Sequence, residues 1–543
     1  MAIQHIVVAA FDSSRKEKAD IICDGMDDQI RIQEAMDALP SGGGTVELLG
    51  GTFHIAMSIK PTKGCRLVGS GAHSILRLTD APNSLLVADA HSGQAELKVV
   101  DSSGFRAGMP ITIVSSNFRV AMRIQSITGN TLVLDGYLPE TFTVGSGAMV
   151  WAFFPVIDIA EDDVVIKDLA IDGNRARRAV YTATYSYCQG TVHVESESGI
   201  YIHGGAEDTI VDGCYISNTQ GGGIFVNGGG PNQRFVNNKL TDIGDKGIII
   251  VDVSGPGLIS GNYIDGTGRT TNYVSAKSVW GYGDCINLHP MVGDGWLVTN
   301  NILKNALRSG IRMEGASKSV ASNNYITDCG DCGIIACVRD ENTITGNSIF
   351  RNGAGITLAF PVVEERGSTT IAGNNIGENK RNGIMICGGK YTILQGNSTS
   401  YNGEHGIFIT DKAYDIPVTE ERWPEKPVRG GGKCSSVGEL IKGEGGRSSS
   451  NRIIVSNNAI IGSSQKAHNT YDNVFIRKSS DILLSGNVCY KGERDNQPRY
   501  GLNIARTCRR ITVSDNILKD SGVTADLHNE CERQRSLNRG QPS

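Results

Sequence analysis

Long apolar runs are missing from this 543-residue chain: no stretch approaches the roughly 18 consecutive apolar residues of a membrane-crossing helix. A soluble protein with no membrane partner is therefore expected. A surplus of one charge is missing as well. Lys and Arg number 52 against 57 Asp and Glu, a net −5, so no global basic field attracts nucleic acid, and an acidic substrate has to be held locally. The first ten residues lack a basic region and soon meet Asp12, so they read as a first strand rather than an export signal, and a cytoplasmic or virion-associated protein is expected. Cysteines are 13, odd in number and scattered, which excludes a disulfide framework and fits a reducing compartment or small buried side chains. Aromatics are scarce at 6%, whereas glycine reaches 68 residues, well above the ordinary ~7%. That balance suits many short strands and turns better than long helices.

The glycines are periodic. Gly199-Ile200-Tyr201-Ile202-His203 opens a pattern that returns at Gly223, Gly247, Cys285, Gly310, Gly333, Gly355, Gly383 and Gly406, each followed by isoleucine. The steps are 24, 24, 38, 25, 23, 22, 28 and 23 residues, one coil of about 23 with an insertion before Cys285. A second ladder runs in phase, at Asn238, Asn262, Asn301, Asn324, Asn347, Asn374 and Asn397. Units this short cannot bury a face alone, so they must stack, and each Asn can bond its equivalents above and below. Alternation along a strand sends the second and fourth positions inward and the third and fifth outward. The sequence thus predicts an all-β parallel β-helix.

Residues 28–39 carry apolar groups at helical spacing and stop at Pro40, a capping helix for the first coil. The organisation expected is a cap with first coils over 1–91, an inserted small antiparallel β module over 92–152, and central coils over 153–410. A Pro, Gly, Lys and Ser-rich excursion follows over 411–450, then coils over 451–520 and a polar, frayed tail over 521–543.

The early run from Asp27 to Ala35, then Gly43-Gly44-Thr45-Val46-Glu47-Leu48 and Gly51-Thr52-Phe53, with Ile171-Asp172-Gly173-Asn174-Arg175 further on, resembles the pectate-lyase-like right-handed parallel β-helix superfamily. The resemblance implies the right hand of the helix and a class of polysaccharide lyases, glycoside hydrolases, mannuronan epimerases and phage tailspike depolymerases. The epimerase strand Gly-x-Asp-Pro-His is similar to Cys285-Ile286-Asn287-Leu288-His289, which keeps the His but has Asn287 and Leu288 at the Asp and Pro positions. The resemblance also admits calcium; the sequence itself shows no EF-hand, no calcium repeat and no other cofactor motif.

Coil stacking makes outward residues on equivalent positions neighbours, Asn287 beside Arg312 and His289 beside Glu314. Asp252 and Asp284 flank them, and the central insertion adds Lys277, Trp280 and Tyr282. On another side Arg175 and Arg178 lie in sequence near Tyr201, His203 and Asn227. For β-elimination on a uronate polymer, Arg312 neutralises the carboxylate, His289 takes the adjacent proton and Tyr282 protonates the leaving oxygen. For hydrolysis, Glu314 with Asp252 or Asp284 forms the acid and base pair. Asn287, His203, Asn227, Tyr201, Trp280, Lys277, Arg175 and Arg178 are candidates to bind the polymer. Against these stands a solvated face with a structural salt-bridge patch, or an attachment protein of tailspike type. A monomer fits the free enzyme and a homotrimer the tailspike. Cys329-Gly330-Asp331-Cys332 has CxxC spacing without a second knuckle, so it reads as structural and no metal site is expected.

Overall fold

The computed structural model describes residues 4–115, 119–178, 197–269, 283–289, 292–337, 341–359, 368–411 and 450–531. The chain is a right-handed parallel β-helix. It divides into two units, Met1–Ser254 with Asn262–Asp284 and Val418–Gly432, and Gly255–Gly261 with Cys285–Pro417 and Lys433–Ser543.

In the first unit each coil contributes three short strands, and equivalent strands stack in parallel. One column runs through Ile157–Ile159, Ile200–Ile202, Ile224–Asn227 and Ile248–Val251. In the second unit a column of like strands runs from Ile286–Leu288 and Ile311–Met313 through Cys332–Cys337, Ala354–Ala359 and Ile384–Cys387 to Ile407–Thr410, Val474–Ile476 and Tyr500–Ile504. The isoleucine at the second position of every repeat is fully buried, as is the fourth-position row from Ile202 to Ile409. β-Branched side chains fit this pleated stack, and each layer covers the apolar face of the one before.

The asparagine ladder forms as one hydrogen-bonded column within each unit. The Nδ2 of Asn324 donates to Oδ1 of Asn347 at 2.9 Å, and Asn347 donates onward to Asn374 at 2.9 Å. Each amide also donates to a backbone carbonyl of an earlier coil, Asn347 to Ala321 at 2.9 Å. The column continues from Asn397 to Asn458 and Asn487. The residue before each rung takes a left-handed φ, +54° at Asn323 and +64° at Gly346, which is why the motif begins with Asn or Gly. A second amide column, Asn352 to Asn379 to Asn402, supports the adjoining turn.

At the start of the chain the helix spans Gln29–Asp37 and buries Ile32, Ala35 and Met36. Its polar residues tie it to the neighbouring chain: buried Asp28 accepts the N–H of His54 at 2.8 Å, and Gln33 accepts that of Lys60 at 2.9 Å. The antiparallel insertion is a six-stranded sheet in the spatial order Asn83–Leu85, Met149–Ala152, Pro110–Val114, Arg119–Thr128, Thr131–Leu134, Glu96–Lys98. It begins at Asn83 rather than at 92, because its first strand has three residues, too few for alternation to register. The tail differs from the frayed segment expected after 521. Ala525–Asn529 adds a further parallel strand, Leu527 opposite Leu502. Backbone pairing holds this strand, and its polar side chains gave no sign of it.

Candidate functional site

In the second unit the third position of each strand points out of the helix, yet much of this row is shielded from water. Asn287, Arg312, Ile335, Thr357, Met385 and Phe408 are all buried. The solvated face weighed as the alternative to a site is therefore corrected in its exposure, while its Arg312–Glu314 ion pair is present.

Parallel register sets Asn287 opposite Arg312 and Leu288 opposite Met313, and the N–H of Glu314 donates to the carbonyl of Leu288 at 2.8 Å. The following pair, His289 and Glu314, comes side by side for the same reason. Arg312 Nη1 donates to Glu314 Oε1 at 2.9 Å, with 6% and 13% of the two side chains exposed. Ions this enclosed depend on their partners, since little water reaches them. The other guanidinium nitrogen, Nη2, lies 3.9 Å from Asp331 Oδ2.

Asp331 is the centre of the cluster. Arg381 Nη2 donates to its Oδ1 at 2.7 Å, and Arg308 Nη2 lies 3.8 Å from Oδ2. Burial alone would raise this carboxyl, but the guanidiniums of Arg312, Arg308 and Arg381 outweigh it and hold it below its usual range. Arg308, Arg312 and Arg381 thus surround Asp331, and Arg312 also holds Glu314. Sequence reasoning missed Arg308, Asp331 and Arg381, although each stands two residues before a repeat glycine, at Gly310, Gly333 and Gly383. Asp331 was visible only as the middle of the CxxC. The cysteines beside it are buried, and burial pushes the Cys332 thiol up to about 12. Among the described residues no group of three or more His, Cys, Asp or Glu gathers as a metal site.

In the first unit Asp284 is fully buried and its carbonyl accepts the N–H of Gly247 at 3.1 Å. Asp252 is exposed and left-handed, at φ +49°. His203 Nε2 meets Asp158 Oδ1 at 2.8 Å, with the Tyr201 ring stacked on it at 4.7 Å and Phe225 on Tyr201 at 5.2 Å. His203 and Asp158 line a cleft of about 400 Å³ with Lys60, Lys63 and Glu161. Asn227 closes its strand, half-buried.

The two arginines assigned to the polymer are both engaged by the protein itself, Arg178 in its interior and Arg175 near the surface. Arg178 is fully buried, paired through Nε to Glu197 at 2.9 Å, donating to the Thr79 carbonyl and lying 4.8 Å from the Phe154 ring. Arg175 spends its guanidinium on Asp242, at 2.7 Å to the carboxylate and 2.8 Å to the carbonyl. Adjacent residues of a short helix, Arg175–Arg178, gave no sign in sequence of these distant partners. Lys277, Trp280 and Tyr282 lie outside the described residues.

The family description "right handed beta helix region" matches residues 157–287, and that of the periplasmic copper-binding protein NosD matches residues 292–420. No curated protein sequence matches the chain. Among solved structures, the A-module of mannuronan C-5 epimerase AlgE6 from Azotobacter vinelandii is similar at 14% identity, over 91% of this chain and 96% of that one, with a TM-score of 0.47. The catalytic unit of a GH87 α-1,3-glucanase from Streptomyces thermodiastaticus has 11% identity over 92% of this chain and 66% of that one, with a TM-score of 0.46. Pre-mature gene product 12 of bacteriophage phi29 has 12% identity over 90% of this chain and 54% of that one, with a TM-score of 0.50. At these identities the likeness is one of fold.

Proposed function

For a chain folded as a right-handed parallel β-helix, we propose the cleavage of a uronate-containing polysaccharide by β-elimination on the outer row of the second unit. The observation that carries this reading is the gathering of guanidinium at one place: Arg308, Arg312 and Arg381 around Asp331. Guanidinium groups gathered in this way attract a carboxylate and stabilise the charge that builds on it when the neighbouring proton leaves.

His289 is the base in this scheme; it follows Leu288 as Glu314 follows Met313, the residue paired with Leu288. The C–H bond next to the uronate carboxylate breaks toward its imidazole, the electron pair forms the ring double bond, and the glycosidic oxygen departs with a proton from Tyr282, the donor assigned from sequence. Arg312 is oriented for its part by Glu314, and Arg308 and Arg381 are the more exposed of the three guanidiniums. Asn287 for the aspartate of the epimerase-like strand favours elimination over return of the proton to the ring. Hydrolysis by Glu314 would need a second acid, and of the two candidates buried Asp284 offers no face to a polymer.

The test is a panel of uronate and neutral polysaccharides, with and without calcium, read together for unsaturated-uronate absorbance and new reducing ends. Both signals rising on a uronate polymer support elimination. Reducing ends alone transfer the chemistry to Glu314 and Asp252, and silence throughout leaves an attachment protein as the reading. Loss of activity on chelation would add calcium to the site.

A further inference from the structure

Farther along the second unit the same outer row turns aromatic. Register aligns Met385, Phe408, Phe475, Asn503 and His528 on successive coils. Arg312 and Phe408 are four coil steps apart, about 19 Å at ~4.8 Å per step. Phe408 and Phe475 stack at 5.4 Å with an interplanar angle of 4°, and His405 sits against both, with Tyr471 at its edge at 5.3 Å. Phe408 is buried beneath, whereas Tyr471 and Phe475 keep part of their surface open.

The shorter contact of the histidine assigns its tautomer. The backbone N–H of Asp472 donates to His405 Nδ1 at 2.9 Å, closer than the 3.3 Å between Nδ1 and the Asp472 carbonyl, which puts the proton of the neutral ring on Nε2. Burial holds the ring in that neutral form by lowering its pKa to about 4. Nε2 has no protein partner among the described residues, and 11% of the side chain stays exposed. Beside it Asp472 is fully buried and satisfied: Arg499 grips it with Nε and Nη2, both at 3.1 Å, and Asn503 Nδ2 donates at 2.9 Å. Glu404 is likewise paired, to Lys466 at 2.9 Å.

We infer that this aromatic patch is a second saccharide subsite, which takes an uncharged pyranose ring of a polysaccharide on the faces of Tyr471 and Phe475, with a ring hydroxyl accepting from His405 Nε2. Aromatic faces pack on the apolar C–H face of a sugar while a few placed donors fix its orientation. The choice of an uncharged ring follows from the cations beside the patch, each of which is engaged within the protein. Arg499 is held by Asp472 and Lys466 by Glu404, and Arg477 lies 5.2 Å over the Phe408 ring and donates to Thr410 Oγ1 at 3.4 Å. The inference rests on the proposed function only for the class of ligand, and it places uncharged sugars in or beside the uronate polymer.

The test is affinity electrophoresis of the full chain through gels containing dextran or polygalacturonate, with wild type, Tyr471→Ala, Phe475→Ala and His405→Asn compared. His405→Asn keeps an acceptor for the Asp472 N–H and removes the Nε2 donor; a thermal melt of each variant checks the fold. Retardation of wild type by dextran, weakened tenfold or more in folded Tyr471→Ala and Phe475→Ala, is the expected result. Equal retardation of wild type and a folded Tyr471→Ala, retardation by polygalacturonate alone, or none in either gel overturns the subsite. The elimination assay decides the proposed function separately, because unsaturated product can form whichever way the gels run.

Discussion

Arg312 and Glu314 stand two residues apart on one strand and close a 2.9 Å ion pair on its outer side, while the far edge of the same guanidinium reaches to 3.9 Å from Asp331 on the next coil. One arginine therefore joins two carboxylates across adjacent coils. With 6% of its side chain exposed, its removal strands both partners in a poorly hydrated place. Arg312→Ala is expected to cost about 3 kcal/mol of stability, read as a lowered urea midpoint at unchanged slope. Arg312→Lys keeps the charge without the planar fork and is expected to fall between the two.

Asn347 lies inside the amide column, accepting from Asn324 and donating to Asn374 and to the Ala321 carbonyl. Asn347→Ala takes the acceptor from two donors, the N–H and Nδ2 of Asn324, and the donor from two acceptors, Asn374 Oδ1 and the Ala321 carbonyl, so a loss of about 2–4 kcal/mol is expected. Asn516, at the end of its column, accepts from Asn487 at 2.8 Å, and Asn516→Ala is expected to cost about 1 kcal/mol. Urea titrations of the two variants check the order.

The coils and the ladder were legible in sequence because stacking repeats the same demand at each level: an isoleucine inward, an Asn at the turn, and Gly or Asn before it. The charged cluster was half legible. Arg312 and Glu314 lie on the strand that periodicity identifies, but Arg308, Asp331 and Arg381 lie in the turn before it, where the residue type varies from coil to coil. The internal roles of Arg175 and Arg178 were not legible, since their partners Asp242 and Glu197 are 67 and 19 residues away and come near only in the fold. Nor did outward alternation tell that Asn287 and Thr357 would be buried.

His405 gives the protein an acid-side dependence of its own. Burial lowers its pKa from the ordinary 6.5 to about 4, so between those values the unfolded chain binds a proton that the folded chain refuses. Stability then falls as pH drops through that window, by about 1.4 kcal/mol per pH unit from this residue. His405→Gln is expected to flatten that slope, measured by urea unfolding at pH 7, 6, 5 and 4. An unchanged slope in the variant would assign the dependence to other groups.

The most direct test of the account is the rate of unsaturated-uronate formation by wild type, His289→Ala and Arg381→Ala on whichever uronate polymer the panel identifies. The account predicts a fall of about a thousandfold or more without the histidine base and a raised KM without the guanidinium of Arg381. Near-wild-type formation of unsaturated product by a folded His289→Ala protein would contradict it.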